Sequence, residues 1–231
     1  MTSLSEKLRI FRGAVFETSS LRSNYVVNRG LDDYNFDLPS FSGIRLKEII
    51  DLKLKKEKQI RLLDAGCGDG SFLLECALQP RWKNRLELLG ITSYPYHDYS
   101  SSHNLLDNNG IQIHVADLHN LTQYIKPDST DIVTSSGCFT YLAHPYIVLK
   151  RIYSVLKNRG LCLINMFTWS ALSSEDADLL TNYLKGVYGM EIERDTISFT
   201  KTRSRLLLPL RYKEEIFNTS NNSELEFVNS E

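Results

Sequence analysis

Asp64, Gly66, Gly68 and Gly70 stand at alternate positions in Ile60-Arg61-Leu62-Leu63-Asp64-Ala65-Gly66-Cys67-Gly68-Asp69-Gly70-Ser71-Phe72, an apolar run that ends in an acid and then in three glycines. Glycine loses more conformational entropy on ordering than any other residue, so this density marks a backbone that turns sharply or lies against a ligand. The chemistry open to such a stretch is binding: a carboxylate for a cationic group, and backbone N–H groups with a positive dipole end from the helix expected over Ser71 to Leu78. The dinucleotide fingerprint Gly-x-Gly-x-x-Gly is a near neighbour, but here the third glycine follows the second by two residues rather than three. A glycine-rich turn with no ligand is the plain alternative. Groups able to move a proton are few. His97, Tyr141 and His144 lie in connecting segments, where a lone His or Tyr is as readily a packing or surface residue, and no catalytic residue is assigned.

The elements that must position these residues follow from apolar periodicity. A buried strand begins near Gln59, and Leu86 to Ile91 supplies a second, with the Ser71 helix between them; a helix between two such strands is a βαβ unit, so the sheet is expected to be parallel. Ile111 to Val115 alternates as a third strand and runs into Asp117-Leu118. Asp131 to Gly137 forms a fourth, followed by an amphipathic helix over Tyr146 to Leu156, a turn from Leu156 to Gly160 and a fifth strand, Leu161 to Met166. Further helices are expected over His103 to Asn108 and around Leu46 to Leu54. Beyond Met166 the pattern predicts a helix over Ser173 to Gly186, a strand over Glu191 to Thr202 and another from Leu206 to Leu210 with Ile216 to Phe217. The N-terminal segment 1–43 reads as one amphipathic helix with Leu4, Leu8, Phe11 and Val15 on a face, followed by an irregular aromatic stretch from Tyr25 to Phe41.

The Asp64 to Gly70 turn, with Asp117 and the Leu-Lys-x-x-Gly turn at Leu156 to Gly160 in the same order, resembles the class I S-adenosylmethionine (SAM)-dependent methyltransferases over about residues 57–167. The resemblance implies an α/β fold: a doubly wound, mostly parallel seven-stranded sheet with helices on both faces, Rossmann-like, plus an N-terminal helical cap. It implies a cap or lid at 1–43 and a SAM-binding domain at 44–231, a single domain overall. It also implies SAM as cofactor, with S-adenosylhomocysteine as product. By that likeness Asp64, Ala65, Gly66, Cys67, Gly68 and Gly70 hold the methionine part of the cofactor. Asp117 and Leu118 read the adenine, and Ser136 and Gly137 lie at the end of the fourth strand. At the end of the second strand the family usually carries a ribose-binding acid. Thr92 and Ser93 stand there instead, and Gly90-Ile91-Thr92-Ser93 has a partial likeness to the cyclopropane-fatty-acid-synthase-like branch. Thr92 as a cap of the next segment and Asp117 as a helix N-cap are the structural alternatives.

Composition narrows the partners. A 231-residue chain with 42% apolar and 24% charged residues is ordinary for a globular protein, and a net charge of −1 gives no whole-chain attraction to polynucleotides or anionic membranes. No stretch reaches the length of a membrane span, and the charged Met1 to Gly13 lacks the apolar core of a signal peptide. The four cysteines, Cys67, Cys76, Cys138 and Cys162, have no metal-ligand spacing and read as small buried residues of a reducing, cytoplasmic compartment; no metal is expected. The tetrapeptides of amino-methylating DNA enzymes and the Pro-Cys pair of pyrimidine-carbon methylation are absent. The reading is therefore methyl transfer to an O, N or C nucleophile of a small-molecule or lipid-like acceptor. The alternative is a methyltransferase-like SAM-binding protein without catalysis, acting as a binding partner or regulator. Lys201, Arg203, Arg205, Arg211 and Lys213 form a basic cluster, read as a solvated face or a contact for an acidic substrate.

Overall fold

The apolar run at Ile60–Ala65 is the central strand, β1, of a sheet seen in a computed structural model that describes residues 29–93, 100–139, 142, 145–165, 191–193 and 196–201. Five parallel strands form its body: β1, β2 (Leu86–Thr92), β3 (Ile111–Val115), β4 (Thr130–Ser136) and β5 (Leu156–Asn165). They lie in the order β3-β2-β1-β4-β5, and β7 (Thr196–Thr200) and β6 (Glu191–Glu193) extend the β5 edge antiparallel. The span read as one strand from Glu191 to Thr202 is thus an antiparallel pair, because β6 folds back on β7 instead of continuing it. The strand order reverses between β1 and β4, which makes the carboxyl ends of these two strands the topological switch point where open α/β sheets bind ligands.

Side-chain alternation sends each strand's residues to two separate cores. Ile60 and Leu62 of β1, Ile132 of β4 and Leu161 and Leu163 of β5 pack with Leu31, Tyr34, Ile50 and Phe72 on one face. Leu63, Ala65, Val133, Cys162 and Ile164 pack with Leu121, Phe139, Val148 and Ile152 on the other. By the same parity Asp64, Thr134, Ser136 and Asn165, at the carboxyl ends, share the first face. That face carries helices α1 (Leu31–Asp37), α2 (Leu46–Lys56) and α3 (Ser71–Ala77). Helix α4 (Ser100–Asn108) precedes β3, while α5 (Leu121–Tyr124) and α6 (Pro145–Val155) cover the second face.

Two further elements differ from the sequence expectation. The stretch around Leu31 is helical rather than irregular: Leu31, Tyr34 and Leu38 are buried at i, i+3 and i+7, and Asp33 accepts the Gly30 N–H at 2.7 Å to close the first turn. Seven residues do not sustain a helix alone, so packing supplies what local propensity lacks. The Leu156 to Gly160 turn is absorbed into β5. There Thr130 pairs with Leu156 but Ile132 already pairs with Leu161, so the intervening residues bulge out of the ladder, with Arg159 at φ 65°. The helix at Leu4 to Val15, the loop Tyr94 to Tyr99, the helix at Ser173 to Gly186, the strand near Leu206 to Phe217 and the basic residues beyond Lys201 lie outside the described residues.

Candidate functional site at the β1–β4 switch point

At the end of β1 the chain turns through Gly66, Gly68 and Gly70, all at positive φ (89°, 55° and 80°), where a side chain is strained. Protein packing also explains the first glycine. A Cβ on Gly66 would sit 2.4 Å from the Cβ of Cys138, so the strand β1 turn is pressed directly against the segment that leaves β4. The loop is anchored to β2 by Gly66 and Cys67 N–H groups, both donating to the Ile91 carbonyl at 2.8 and 2.9 Å. Asp69 then starts α3 by accepting the Ser71 N–H and hydroxyl, each at 2.9 Å.

Beneath this loop lies Asp64, fully closed to solvent. Its Oδ2 accepts the Tyr34 hydroxyl at 2.8 Å and its Oδ1 the Thr134 hydroxyl at 2.9 Å. Burial pushes its carboxyl up to about 7, the two hydroxyl donors oppose that rise, and the neighbouring Asp69 charge adds to it. No described cation is among the groups that act on Asp64. The thiols nearby feel the same field: burial first, then Asp64 and Asp69, raise Cys67, and burial, Asp64 and Asp117 push Cys138 up to about 12. Cys138 is thus an electrostatic neighbour of the acids at the ends of both β1 and β3.

The other sequence-assigned residues gather along the same edge. Thr92 is buried at the end of β2 and Ser93 beside it is exposed. Asp117 caps the short 3-10 turn Leu118–Asn120 through the His119 N–H at 2.9 Å, and the His119 ring Nδ1 lies 2.6 Å from the same Oδ1. Partial burial raises the Asp117 carboxyl, but His119 outweighs it and leaves the group below its ordinary range. Capping therefore engages Oδ1. Leu118 is buried in the second core. Ser136 ends β4 on the first face, and the Gly137 N–H donates to the Asn165 carbonyl at 2.8 Å. His97, Tyr141 and His144 lie outside the described residues.

Helix α1 and the residues leading into it supply contacts that the sequence pattern did not assign. The Arg29 guanidinium donates to Ser136 Oγ and to Asp37 Oδ2, both at 2.9 Å, and Asn165 Nδ2 donates to the Asp37 carbonyl at 2.7 Å. The Leu31 N–H donates to Glu75 on α3 at 2.7 Å. Helix α1 thus lies across the carboxyl ends of β1, β4 and β5. The available signal was the buried triplet Leu31, Tyr34 and Leu38, which has helical spacing but is too short to stand out among aromatics.

The family model for the methyltransferase domain matches residues 63–164, a span running from the end of β1 to the end of β5. Residues 63–164, somewhat under half of the chain, are thus similar to a methyltransferase domain. The cofactor of that domain is SAM, and the fold is the class I, Rossmann-like one. A SAM-dependent methyltransferase from Methanococcus maripaludis, itself described as putative, matches with TM-score 0.52 and 20% identity, over 69% of this chain and 86% of its own. The DszA carbon methyltransferase matches with TM-score 0.53 and 16% identity, over 69% of this chain and 52% of its own. The CurJ carbon methyltransferase gives TM-score 0.50 and 13% identity, over 68% and 53%. At these identities the likeness is one of fold. No curated protein matches the sequence significantly.

Proposed function

We propose that the methyltransferase domain moves the methyl group of SAM to an oxygen, nitrogen or carbon nucleophile of a small-molecule or lipid-like acceptor. The observation that carries this reading is the charge beneath the loop. Asp64 and Asp69 lie buried together at the switch point, and no described cation acts on Asp64. A buried acid without a counter-charge favours a cationic ligand, and SAM brings both an ammonium and a sulfonium. A pyrophosphate would add negative charge to the same place.

Asp64 is closed off by Tyr34 and Thr134, so its part is a buried carboxyl under the loop that a bound cation draws into its charged form, rather than an open acceptor. In the interior such a charge acts over several ångströms with little screening. Ala65, Gly66, Cys67, Gly68 and Gly70 present backbone along the methionine portion. Thr92 and Ser93 would hold the ribose in place of an acid, Asp117 and the Leu118 backbone would hold the adenine, and Ser136 and Gly137 would form the wall beyond β4. Bound SAM supplies an electrophilic methyl whose leaving group is a neutral thioether. The chain's own contribution is then in-line placement of the acceptor, which is worth about 7 kcal/mol or more. Residues 1–43 act as a cap and 44–231 as the SAM-binding domain, a division supported by α1 lying across three strand ends. The near-neutral net charge supports a small acceptor over a polynucleotide. Among the described residues no helix is long and apolar enough to cross a membrane, and we place the protein in the cytoplasm.

Calorimetric titration with SAM and with NAD, followed by transfer of isotope-labelled methyl to a panel of small-molecule acceptors, tests the proposal. Heat with SAM alone and label in a product are expected. Silence at millimolar SAM overturns the cofactor assignment, and binding without transfer to any acceptor favours the non-catalytic, partner-binding reading.

A further inference from the structure

We propose that Tyr34 is a positioning residue for the cofactor: from α1 its hydroxyl favours the charged form of the Asp64 carboxylate under the glycine loop, so that docking of α1 and binding of the cofactor's positive charge are one linked equilibrium. The inference rests on the SAM reading above.

The geometry leaves the Tyr34 hydroxyl little freedom. Its ring lies flat on Phe72, with centroids 3.9 Å apart and planes 3° from parallel, and it is buried. The stack aims the hydroxyl at Asp64 Oδ2, 2.8 Å away, while Thr134 takes the other oxygen. Burial first, and then Asp64, raise the phenol's own ionisation well above its ordinary value, so it acts only as a donor. A carboxylate accepts from a hydroxyl more strongly than a carboxylic acid does, so each donor favours the charged form.

Every group that faces Asp64 can be placed on one side of this balance. Tyr34 from α1 and Thr134 from β4 favour the charge, whereas Asp69 and burial oppose it. Cys67 in the loop, Cys76 on α3 and Cys138 after β4 also lie within its field and are raised by it, so all three are neutral thiols. Of the two donors, Thr134 belongs to the sheet and cannot leave. Tyr34 belongs to a seven-residue helix held to the strand ends by Arg29 and Asn165 contacts and to α3 by Glu75, and can. Coupling between two events on one group is reciprocal: a cation that favours charged Asp64 must tighten the Tyr34 bond, and with it α1.

Tyr34→Phe removes the hydroxyl and keeps the stacked ring. Titration of the full chain with S-adenosylhomocysteine, which carries the same ammonium, is compared for the natural and variant proteins from pH 5.5 to 8.5. The ligand's own titration is common to both and cancels in the ratio of their Kd values. A hydrogen bond to a charged group predicts about tenfold weaker binding by the variant at the acid end, with the ratio shrinking as pH rises and both carboxylates ionise. A ratio that is constant with pH shows a structural role only and overturns the proposal, while the SAM reading stands. Should the natural protein bind neither SAM nor S-adenosylhomocysteine, it is the reading beneath that fails. A second measurement needs no variant: amide hydrogen exchange of residues 31–38 is expected to slow at least severalfold on saturation with S-adenosylhomocysteine, and unchanged exchange overturns the linkage.

Discussion

The Tyr34 hydroxyl lies 2.8 Å from the Asp64 carboxylate, joining residues 30 apart in sequence at a point that solvent does not reach. An acid in this setting makes stability depend on pH in an unusual direction. Its carboxyl is pushed up to about 7 in the folded chain, by burial first, while an exposed aspartate titrates near 4. The native state therefore keeps a proton that the unfolded chain has released, and the stability this site contributes is largest below about pH 4 and lost as pH rises to about 7. Urea unfolding of the natural protein and of Asp64→Asn, compared across this range, should show their difference falling by a few kcal/mol between pH 4 and 7 and staying flat above. A difference that grows with pH would sink the assignment.

Binding of a cation should pull that proton off. At pH 6 most Asp64 is protonated and an amino acid's ammonium is already charged, so binding of SAM is expected to release about one proton per site. Calorimetry in two buffers of different ionisation enthalpy reads this directly. Release should vanish near pH 8.5, and it should vanish at pH 6 in Asp64→Asn.

Gly66→Ala should be among the most damaging single changes in the loop. The new Cβ would meet the Cys138 Cβ at 2.4 Å and carry φ of 89°, combining overpacking with left-handed strain, together about 2 to 5 kcal/mol. Gly43→Ala has the same backbone strain, at φ 76°, with nothing within 4 Å, and should cost only about 1 kcal/mol. Adding Cys138→Gly to Gly66→Ala should recover the steric share and leave the strain. Thermal melts of the three variants check the ordering.

At the opposite, amino-terminal edge of the sheet Lys157 lies 2.7 Å from Asp131, whose side chain is buried and also accepts the Arg61 N–H. Lys157→Met leaves that acid short of its partner and should cost about 1 to 2 kcal/mol, tempered by the half-exposed lysine head. Asp131→Asn added to it should return part of the loss. Because the pair is remote from the carboxyl ends, affinity for SAM should be unchanged in both, which separates damage to the fold from damage to the site.

The sequence alone determined the succession of the central strands along the chain, the sharp turn after Asp64 and the placing of Asp64, Thr92, Asp117 and Ser136 at strand ends, because these depend on local period and on glycine's tolerance of positive φ. Even the faces were implicit: Asp64, Thr134, Ser136 and Asn165 keep the parity of buried neighbours such as Leu62, Ile132 and Leu163. Tertiary structure decided the rest. A seven-residue helix has no local stability, so α1 exists only where Tyr34 finds Phe72 and Asp64. The Leu156 to Gly160 turn became a bulge because β5 pairs with β4 on either side of it. And Asp64, which a local reading offers as an open acceptor for a ligand, is a buried charge whose protonation depends on a hydroxyl brought from another element, a property of three-dimensional neighbours that no spacing along the chain encodes.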